Sequence, residues 1–443
     1  MKIKLMPLSI LALLLVFALY GSSRSAGPVL AQDEPQSIPG GQAMLKADPV
    51  PSTWKVAPPL GVLEQGQAPT RVDALPITVV YNLPASCPAV HPLDPNPANP
   101  TWLRQPWPGN AVTAMNQAAL IWSALLNGQQ PVVVHACWYS TLGPNVLGQA
   151  GPNGNGWQNF PNAPQSNTFY PVALANQIAN TDLNGAAPEI NASFNAGFSW
   201  YFGLDGNIPL DANGNPTAFD FLGVALHEIG HGLGFTGGAS WDNGVAPNEC
   251  NGFANWGCVG NPPQAYDRLV QSGGTNIVGG FTSPSAALGA ALVGNNLFFN
   301  GNDAVSANGN NPVRLFAPNP WQGGSSYMHL DEATFNNTVN ALMTPALSPG
   351  EAVHHPGPVG LGLMADIGWS VNSNLIVFVN RAHTGFEDGS AFDPYNTVQE
   401  GVAAVNPTGI VWISAGNYNE RVVIDRPMTL LVTGNSGVVR IGQ

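Results

Sequence analysis

The sequence has few charged residues, and basic residues are the scarcest. Among 443 residues there are 13 Lys and Arg against 26 Asp and Glu, a formal net charge of -13. Soluble proteins usually carry charge on about a quarter of their residues, whereas the share here is 9%. The chain has no basic stripe of the kind that binds nucleic acid or an anionic membrane surface. We therefore expect neither partner.

Long apolar runs are missing from the sequence beyond its N-terminus, which excludes later membrane spans. Two lysines precede a short apolar stretch, Leu8–Leu19, and small residues follow it. This layout predicts a secretory signal peptide over residues 1–31, with cleavage after Ala31 preferred to cleavage after Ala26. A retained anchor is the alternative, but the run is short for a spanning helix. The prediction is a secreted protein without a membrane span after signal cleavage.

Cysteine is also scarce, with four residues in the chain. Export permits disulfides, and four cysteines allow three pairings. Cys250 and Cys258 bracket a short loop rich in Gly and Asn and are natural partners, which leaves Cys87 to pair with Cys137. An alternative role for Cys87 is a thiolate that caps a metal in a latent precursor, but that role would orphan Cys137.

Glycine and proline are abundant, at 51 and 41 residues, and they help to divide the chain. Residues 32–74 are rich in Pro, Gln and Gly with little periodicity, which indicates a linker or pro-segment. Regular structure is expected from Leu75 onwards. We assign residues 75–371 to a main domain and residues 372–443 to a small all-β module, because short apolar runs separated by turn residues recur there.

Hydrophobic periodicity predicts both helices and strands in the main domain, and hence an α+β fold with a twisted mixed sheet. The predicted helices are Ala111–Leu126, Ala218–Leu233 and Val359–Ile367, and the predicted strands are Leu75–Tyr81, Pro131–Ala136 and Glu189–Asn195. Residues 236–326 carry few periodic segments and are expected to form a long irregular insertion. The apolar runs of the C-terminal module are Leu375–Val379, Ile410–Ile413, Val422–Ile424, Leu430–Val432 and Val438–Ile441.

The segment Ala225–Phe235 reads ALHEIGHGLGF and carries the main chemical signal. One helical turn separates His227 from His231, so both imidazoles project from the same face. Neutral imidazoles suit Zn²⁺, and a catalytic zinc has three protein ligands plus a water. Glu228 lies one position round the helix, where its carboxylate can take a proton from that water. The segment therefore predicts a zinc-dependent hydrolase.

The third ligand is not in this segment. The compact form of the motif would place a histidine at position 237, where the sequence has Gly237. A histidine that returns later should come shortly before a turn containing methionine, and His329 precedes the sequence NALMTP at Asn340–Pro345. Glu249 has a spacing close to that of thermolysin-like enzymes, but it lies in turn-forming sequence.

Three further residues compete for the same role. They are Glu332 and the pair His354 and His355, which stand next to a proline. The two paired histidines are more simply interpreted as solvent-facing loop residues. His135, inside a predicted buried strand, is interpreted as structural rather than as a ligand.

The zinc helix, the segment Ser325–His329 and the LMTP turn resemble the leishmanolysin family of metzincins. The resemblance extends to the sequence GLMADIGW at Gly362–Trp369 and covers about Ile77–Trp369. It implies a metzincin-like catalytic domain, with an active-site helix and an irregular C-terminal subdomain, that hydrolyses peptide bonds. The implied site consists of the general base Glu228, Met343 beneath the metal, and the zinc ligands His227, His231 and His329. The chain has fewer cysteines than the protozoan members and no evident C-terminal lipid-anchor signal.

We therefore expect a secreted zinc endopeptidase whose substrates are extended polypeptides. Such substrates pair with an edge strand, and Glu189–Asn195 is the candidate edge. One alternative is a thermolysin-like peptidase with Glu249 as third ligand. Another is a non-catalytic secreted surface-binding protein with a structural zinc, although a purely structural site has no use for the Glu228 carboxylate.

Three weaker features of the sequence also carry expectations. Asp211–Asn215, with Asp205 and Asp220 nearby, has spacing reminiscent of a Ca²⁺ loop but lacks the closing Glu, so a plain turn is favoured over Ca²⁺ binding. Tyr327 is a candidate for assisting the oxyanion or for simple packing. The C-terminal module resembles the opening of a right-handed parallel β-helix, and by analogy we expect it to contact carbohydrate or a surface.

Overall fold

A computed structural model defines the fold. It describes residues 42–56, 74–154, 156–245, 248–372, 376–385, 387, 389, 394–405, 409–426, 428–433 and 438–442, so the predicted signal peptide lies outside the described residues. Within them the chain is mixed α/β, with a six-stranded mixed sheet and nine α-helices. No helix in these ranges is both long enough and apolar enough to cross a bilayer.

The helices are short apart from three that belong to the main core. In chain order they are α1 (Gly109–Leu125), α2 (Val172–Ala179), α3 (Phe221–Leu233), α4 (Ile277–Gly280), α5 (Ala286–Leu292), α6 (Asn302–Ala307), α7 (Glu332–Phe335), α8 (Gly357–Ile367) and α9 (Val398–Ala404).

Most strands are short as well. In chain order they are β1 (Ala43–Ala47), β2 (Lys55–Val56), β3 (Ile77–Tyr81), β4 (Leu126–Asn127), β5 (Val132–Tyr139), β6 (Val146–Pro152), β7 (Ile190–Asn195), β8 (Trp200–Tyr201), β9 (Phe219–Asp220), β10 (Ala239–Asp242), β11 (Trp256–Val259), β12 (Val270–Ser272), β13 (Thr275–Asn276), β14 (Leu297–Phe299), β15 (Val313–Arg314), β16 (Ala346–Leu347), β17 (Ala352–Val353), β18 (Ser370–Val371), β19 (Ile376–Val379), β20 (Ile410–Ser414), β21 (Gly416–Tyr418), β22 (Thr429–Thr433) and β23 (Val439–Ile441).

The main sheet has the strand order β16-β1-β6-β7-β5-β3. Strands β3, β5 and β7 run parallel, β6 is antiparallel to β7, and β1 is antiparallel to β6. The inner strand β5 reads VVVHACWY and is almost wholly buried, as expected for a strand covered on both faces. Helices α1 and α3 belong to the same core, and the Trp122 indole of α1 donates to the Leu226 carbonyl of α3 at 2.9 Å.

The six elements predicted for the main domain are confirmed, with each end within three residues of its predicted position. Their signals were strong because α1 and α3 carry an apolar face over several turns and β3 and β5 are rich in β-branched residues. The predicted irregular insertion, residues 236–326, instead contains short elements. These include the β10–β11 hairpin and a four-stranded sheet of order β13-β12-β14-β15.

Three expectations about strands are wrong. The segment Glu189–Asn195 is not an edge, because β7 lies between β6 and β5. Regular structure does not begin at Leu75, since β1 and β2 come from the stretch interpreted as a linker or pro-segment. Residues Val422–Ile424 form no strand. Val423 and Ile424 are exposed, so their β-branched side chains have no core to pack against.

The C-terminal residues build two small parallel sheets, and they also form helix α9, so the module is not all-β as expected. Strands β19, β20 and β22 pair in parallel, and β21 pairs in parallel with β23. The indole of Trp412, in β20, lies 6.3 Å from the ring of His355, measured between ring centroids. Ile410 and Trp412 accordingly belong to the main core.

Both predicted disulfides are confirmed. Cys87 is bonded to Cys137 and Cys250 to Cys258. Cys87 therefore has no free thiol with which to cap a metal, which rules out its alternative role in this form of the chain.

Candidate metal centre

Helix α3 begins and ends at residues suited to those positions. Asp220 is the N-cap, and its carboxylate accepts a hydrogen bond from the backbone N–H of Gly223 at 2.7 Å. Asp, Asn, Ser and Thr are preferred there because their side chains satisfy an otherwise unpartnered helix N–H. The helix ends at Gly234, whose φ of 125° is outside the range that L residues readily adopt. The helix that carries His227 and His231 therefore has defined ends.

A separate segment brings His329 to this helix. The backbone N–H of Leu330 donates to the Met343 carbonyl at 2.8 Å, and that of Phe316 donates to the His329 carbonyl at 2.9 Å. Tyr327 adopts a φ of 76°, a left-handed conformation that is uncommon for a residue of this size. The chain thus turns sharply just before His329, whose ring reaches the two histidines of α3.

The three Nε2 atoms converge on one point. The Nε2 of His231 lies 2.9 Å from that of His227 and 3.1 Å from that of His329, and the remaining pair is 3.2 Å apart. Zinc–nitrogen bonds of 2.0–2.1 Å in a tetrahedral site would separate ligand nitrogens by about 3.3 Å. In the described part of the chain these three histidines form the one group with metal-binding spacing.

Each imidazole is fixed by a backbone carbonyl on its far side. The Nδ1 of His227 donates to Leu342 at 2.6 Å, that of His231 to Phe235 at 2.7 Å, and that of His329 to Ser325 at 2.8 Å. Carbonyl oxygens only accept, so every Nδ1 carries the proton. In the neutral rings the three Nε2 lone pairs then face one another. This is the arrangement in which metal-binding histidines are held by their outer hydrogen bonds.

Burial keeps these rings neutral. It lowers the pKa of His227 to about 4, with the Leu342 carbonyl opposing the shift. Burial also lowers the pKa of His231 and His329 well below the usual value, and the neighbouring histidines lower both further. Protonation would place like charges together in an apolar site. The residues present therefore fit a divalent cation that takes three neutral nitrogen ligands, and they can hold zinc.

Glu228 lies beside this cluster without belonging to it. The side chain is fully buried, and neither carboxylate oxygen has a hydrogen-bond partner. Burial raises its pKa well above the usual value, while the nearby backbone N–H of Leu45 opposes the rise without completing a hydrogen bond. A side chain at Gly148 would come within 2.7 Å of Oε1, so β6 needs glycine there. Buried carboxylates almost always have a hydrogen-bond partner, so one without a partner requires an explanation.

Met343 packs against helix α3. It is fully buried, and its sulfur would lie 3.0 Å from a Cβ placed on Gly230, the residue before His231. The preceding Leu342 supplies the carbonyl that orients His227. This short turn therefore contacts helix α3 and orients one of the three histidines.

The competing third ligands lie elsewhere. Glu249 and Glu332 are not part of the cluster, and Glu332 accepts a hydrogen bond from Asn336. His354 and His355 are not solvent-facing as expected, since both are buried. The Nε2 of His354 lies 2.7 Å from Asp220, and Nδ1 of His355 accepts from the N–H of Gly357 at 2.9 Å. Their polar loop sequence gave no sign of these buried partners.

His135 is partnered with Ser86, in keeping with its structural interpretation. Tyr327 is not available to an oxyanion, because its buried hydroxyl donates to Asp267 at 2.6 Å. The same carboxylate accepts from the N–H of Gly238 at 2.9 Å and that of Gln264 at 2.8 Å. Asp267 therefore organises the turn that leads to His329, a role that no motif in the sequence indicated.

The suggested Ca²⁺ loop is a turn. The Oδ1 of Asp211 accepts from the backbone N–H groups of Asn213 and Asn215, at 2.8 and 2.9 Å. Asp205 instead interacts with Tyr201 and Asn207. The carboxylates thus turn to local donors instead of converging, and within the described residues they form no metal-binding group.

Comparison with known proteins adds one partial match. A family model described as SPBPB7E8-like matches residues 115–249, which include the α3 histidines and exclude His329. No curated protein and no solved structure matches the chain.

Proposed function

We propose that this chain is a secreted zinc-dependent endopeptidase with a metzincin-like catalytic domain. One observation carries the proposal: three neutral imidazoles, each with Nδ1 held by a carbonyl, direct their Nε2 atoms to one point beside an unpartnered carboxylate. Three nitrogen ligands leave a fourth position for water, the composition of a catalytic zinc site. A closed structural site would use four ligands and no spare carboxylate.

Zinc bound at the cluster would lower the pKa of a water and polarise the scissile carbonyl. The three histidines hold the metal in the neutral form that burial favours. Glu228 takes a proton from the water as the water oxygen bonds to the carbonyl carbon. Glu228 then passes that proton to the leaving nitrogen as the C–N bond breaks. The products are a carboxylic acid and an amine.

Replacing the base tests this mechanism. In Glu228→Gln the zinc ligands are intact, so we expect zinc content to stay near the wild-type level while casein hydrolysis falls by about 10²–10⁴-fold. The measurements are metal analysis of the intact chain and release of labelled peptides by the chain from which residues 42–56 have been cut away. Glu249→Gln is the matched control, a carboxylate outside the cluster, and should leave both values unchanged.

His329→Ala completes the test of the ligand set. We expect it to lose zinc, whereas Glu249→Ala should keep it. Undiminished hydrolysis by Glu228→Gln would refute the assigned base. Stoichiometric zinc with no hydrolysis by any form of the wild-type chain would favour the non-catalytic surface-binding alternative.

Secretion agrees with the two disulfides, which persist in oxidising compartments. The carbohydrate or surface contact of the C-terminal module remains a prediction. A cleft of about 460 Å³ beside that module is lined by uncharged groups, among them Asn308, Asn310, Asn340 and Asn380. Amide groups suit sugar hydroxyls.

A further inference from the structure

The antiparallel strand β6 is covered by the N-terminal segment of the chain. β1 pairs antiparallel with β6, placing Leu45 opposite Gly148, and pairs in parallel with β16 on its other side. The N–H of Lys46 donates to the Pro345 carbonyl at 2.9 Å, and that of Ala47 to the Asn145 carbonyl at 2.8 Å. β1 therefore fills a slot between β6 and the residues that follow the Met343 turn.

This slot lies next to Glu228 and to the segment that carries His329. Gly148, opposite Leu45, is the residue whose missing side chain makes room for Glu228. The N–H of Met44 donates at 2.7 Å to the carbonyl of Gly324, the residue before Ser325, whose own carbonyl orients His329. β1 therefore contacts the surroundings of both the base and the third histidine.

Lys46 places a positive charge near His329. Its ammonium donates to the Gln322 side chain at 3.0 Å. It is also near enough to His329 to contribute to the lowering of that residue's pKa. The Lys46 side chain therefore ties β1 to the segment that leads to His329.

The consequence is a site closed to macromolecules. His227, Glu228, His231 and His329 each have 0% of their surface exposed, and Leu45 has 2%. With these residues fully buried, a polypeptide cannot bring a peptide bond to them.

A second contact holds the same segment. β2 pairs in parallel with β17, and the Trp54 indole donates to the Thr338 carbonyl at 3.0 Å. Between the two strands, the N–H of Ser52 donates to Pro349 at 2.9 Å. The segment from Gln42 to Val56 is therefore fixed along much of its length to the residues that follow His329.

The sequence of β1 shows why its strand depends on this slot. Its residues, AMLKA, include none that is β-branched or aromatic, so intrinsic strand preference is weak. Its conformation comes from main-chain pairing with β6 and β16. Any extended polypeptide can make such main-chain hydrogen bonds in the same slot.

We propose that residues 42–56 are an internal occupant of the polypeptide-binding groove, and that a substrate reaches the histidine cluster only after this segment leaves. The identity of the competing ligand as a polypeptide substrate rests on the proposed function. The closure of the site by β1 is independent of it.

Cleavage after the segment tests the proposal in the full chain. A recognition sequence for a site-specific protease is inserted between Val56 and Ala74, and the zinc-loaded protein is compared before and after cutting. We expect the N-terminal fragment to separate on size exclusion, zinc extraction by EDTA to accelerate at least tenfold, and casein hydrolysis to appear. Equal extraction and hydrolysis rates before and after cutting would overturn the proposal.

A peptide added in trans provides the matched control. A synthetic peptide with the sequence of residues 42–56 should slow zinc extraction from the cut protein and inhibit hydrolysis competitively. The Leu45→Pro peptide lacks the N–H of the residue paired with Gly148 and should be at least tenfold weaker.

A second proline peptide controls for the substitution itself. Val50 is exposed and lies outside β1, and its N–H donates within the segment, to the Asp48 carboxylate at 2.8 Å. The Val50→Pro peptide should therefore act like the native peptide. Equal inhibition by all three peptides, or by none, would count against an occupant held by strand pairing.

The two proposals fail in different ways. If cutting speeds zinc extraction but no form hydrolyses casein, the closure stands and the peptidase is wrong. If intact and cut chains hydrolyse casein equally fast, the peptidase stands and the closure is wrong.

Discussion

Asp220 serves two elements with one carboxylate. Its Oδ2 accepts from the N–H of Gly223 at the start of α3 and lies 2.7 Å from Nε2 of His354. All three groups are buried, so losing the carboxylate would leave a helix N–H and an imidazole without this partner. The helix that bears His227 and His231 therefore depends on a residue that contacts neither.

Asp220→Ala should lower the free energy of unfolding by about 2–4 kcal/mol, since it removes a cap and a buried hydrogen bond. Asp220→Asn keeps an acceptor for the Gly223 N–H and should cost less. Urea denaturation of the zinc-loaded protein measures both. A loss in the Ala variant no larger than that of an exposed substitution such as Asp425→Ala would contradict this account of the helix start.

At the scale of single elements, sequence-based prediction succeeded where the local pattern and the fold agree. Helix α3 shows an apolar periodicity, a capping Asp and a terminal Gly, and β5 is a β-branched run. Strand β1 shows none of this, because pairing with distant strands determines it. Val422–Ile424 shows the reverse: it has a good local pattern, but Val423 and Ile424 are exposed and have no core to bury them.

Two short elements near β1 carry buried carboxyl groups that should make stability depend on pH. Burial raises the pKa of Glu332, at the start of α7, and of Glu351, just before β17, to about 7 in each case. Nearby Asp48 raises both pKa values further, and Glu332 adds to the rise at Glu351. The folded protein thus holds protons on these groups that the unfolded chain, with an ordinary value of 4.5, releases. Stability should fall as the pH rises from about 4.5 to about 7.

Urea denaturation at pH 5 and pH 8 measures this dependence. Glu351→Gln stays neutral at both values, so its unfolding free energy should change less than that of the wild type between them. Asp425→Asn, at an exposed position, is the control and should retain the wild-type difference. An identical pH dependence in Glu351→Gln would contradict the assignment.

For the whole molecule, the two disulfides differ in the length of chain they close. Cys87–Cys137 spans 50 residues and Cys250–Cys258 spans 8. Loop-closure entropy then predicts contributions of about 4 and about 2.5 kcal/mol, respectively. Thermal unfolding of the Cys87→Ser/Cys137→Ser and Cys250→Ser/Cys258→Ser double variants compares them. A larger loss from the short loop would show that unfolded-chain entropy does not dominate.

The candidate site combines local and distant signals across the whole chain. His227 and His231 share one helix face, so their proximity followed from spacing alone. The resemblance to leishmanolysin, with the methionine turn after His329, implies His329 as their partner, and its ring does meet theirs. No pattern in the sequence indicated the closure by β1, because β1 pairs with the edge of β6 that β7 leaves free.

The adjacent residues His354 and His355 connect helix α3 and the C-terminal sheet to one stretch of backbone. The ring of His354 is bound to Asp220 at the start of α3, and the ring of His355 faces Trp412 of the C-terminal sheet. Deleting the C-terminal strands would therefore expose His355. That residue is adjacent in sequence to His354, which binds the N-cap residue of α3. Shortened versions of this chain should therefore also replace His355, because the C-terminal sheet packs against the main core and stabilises it.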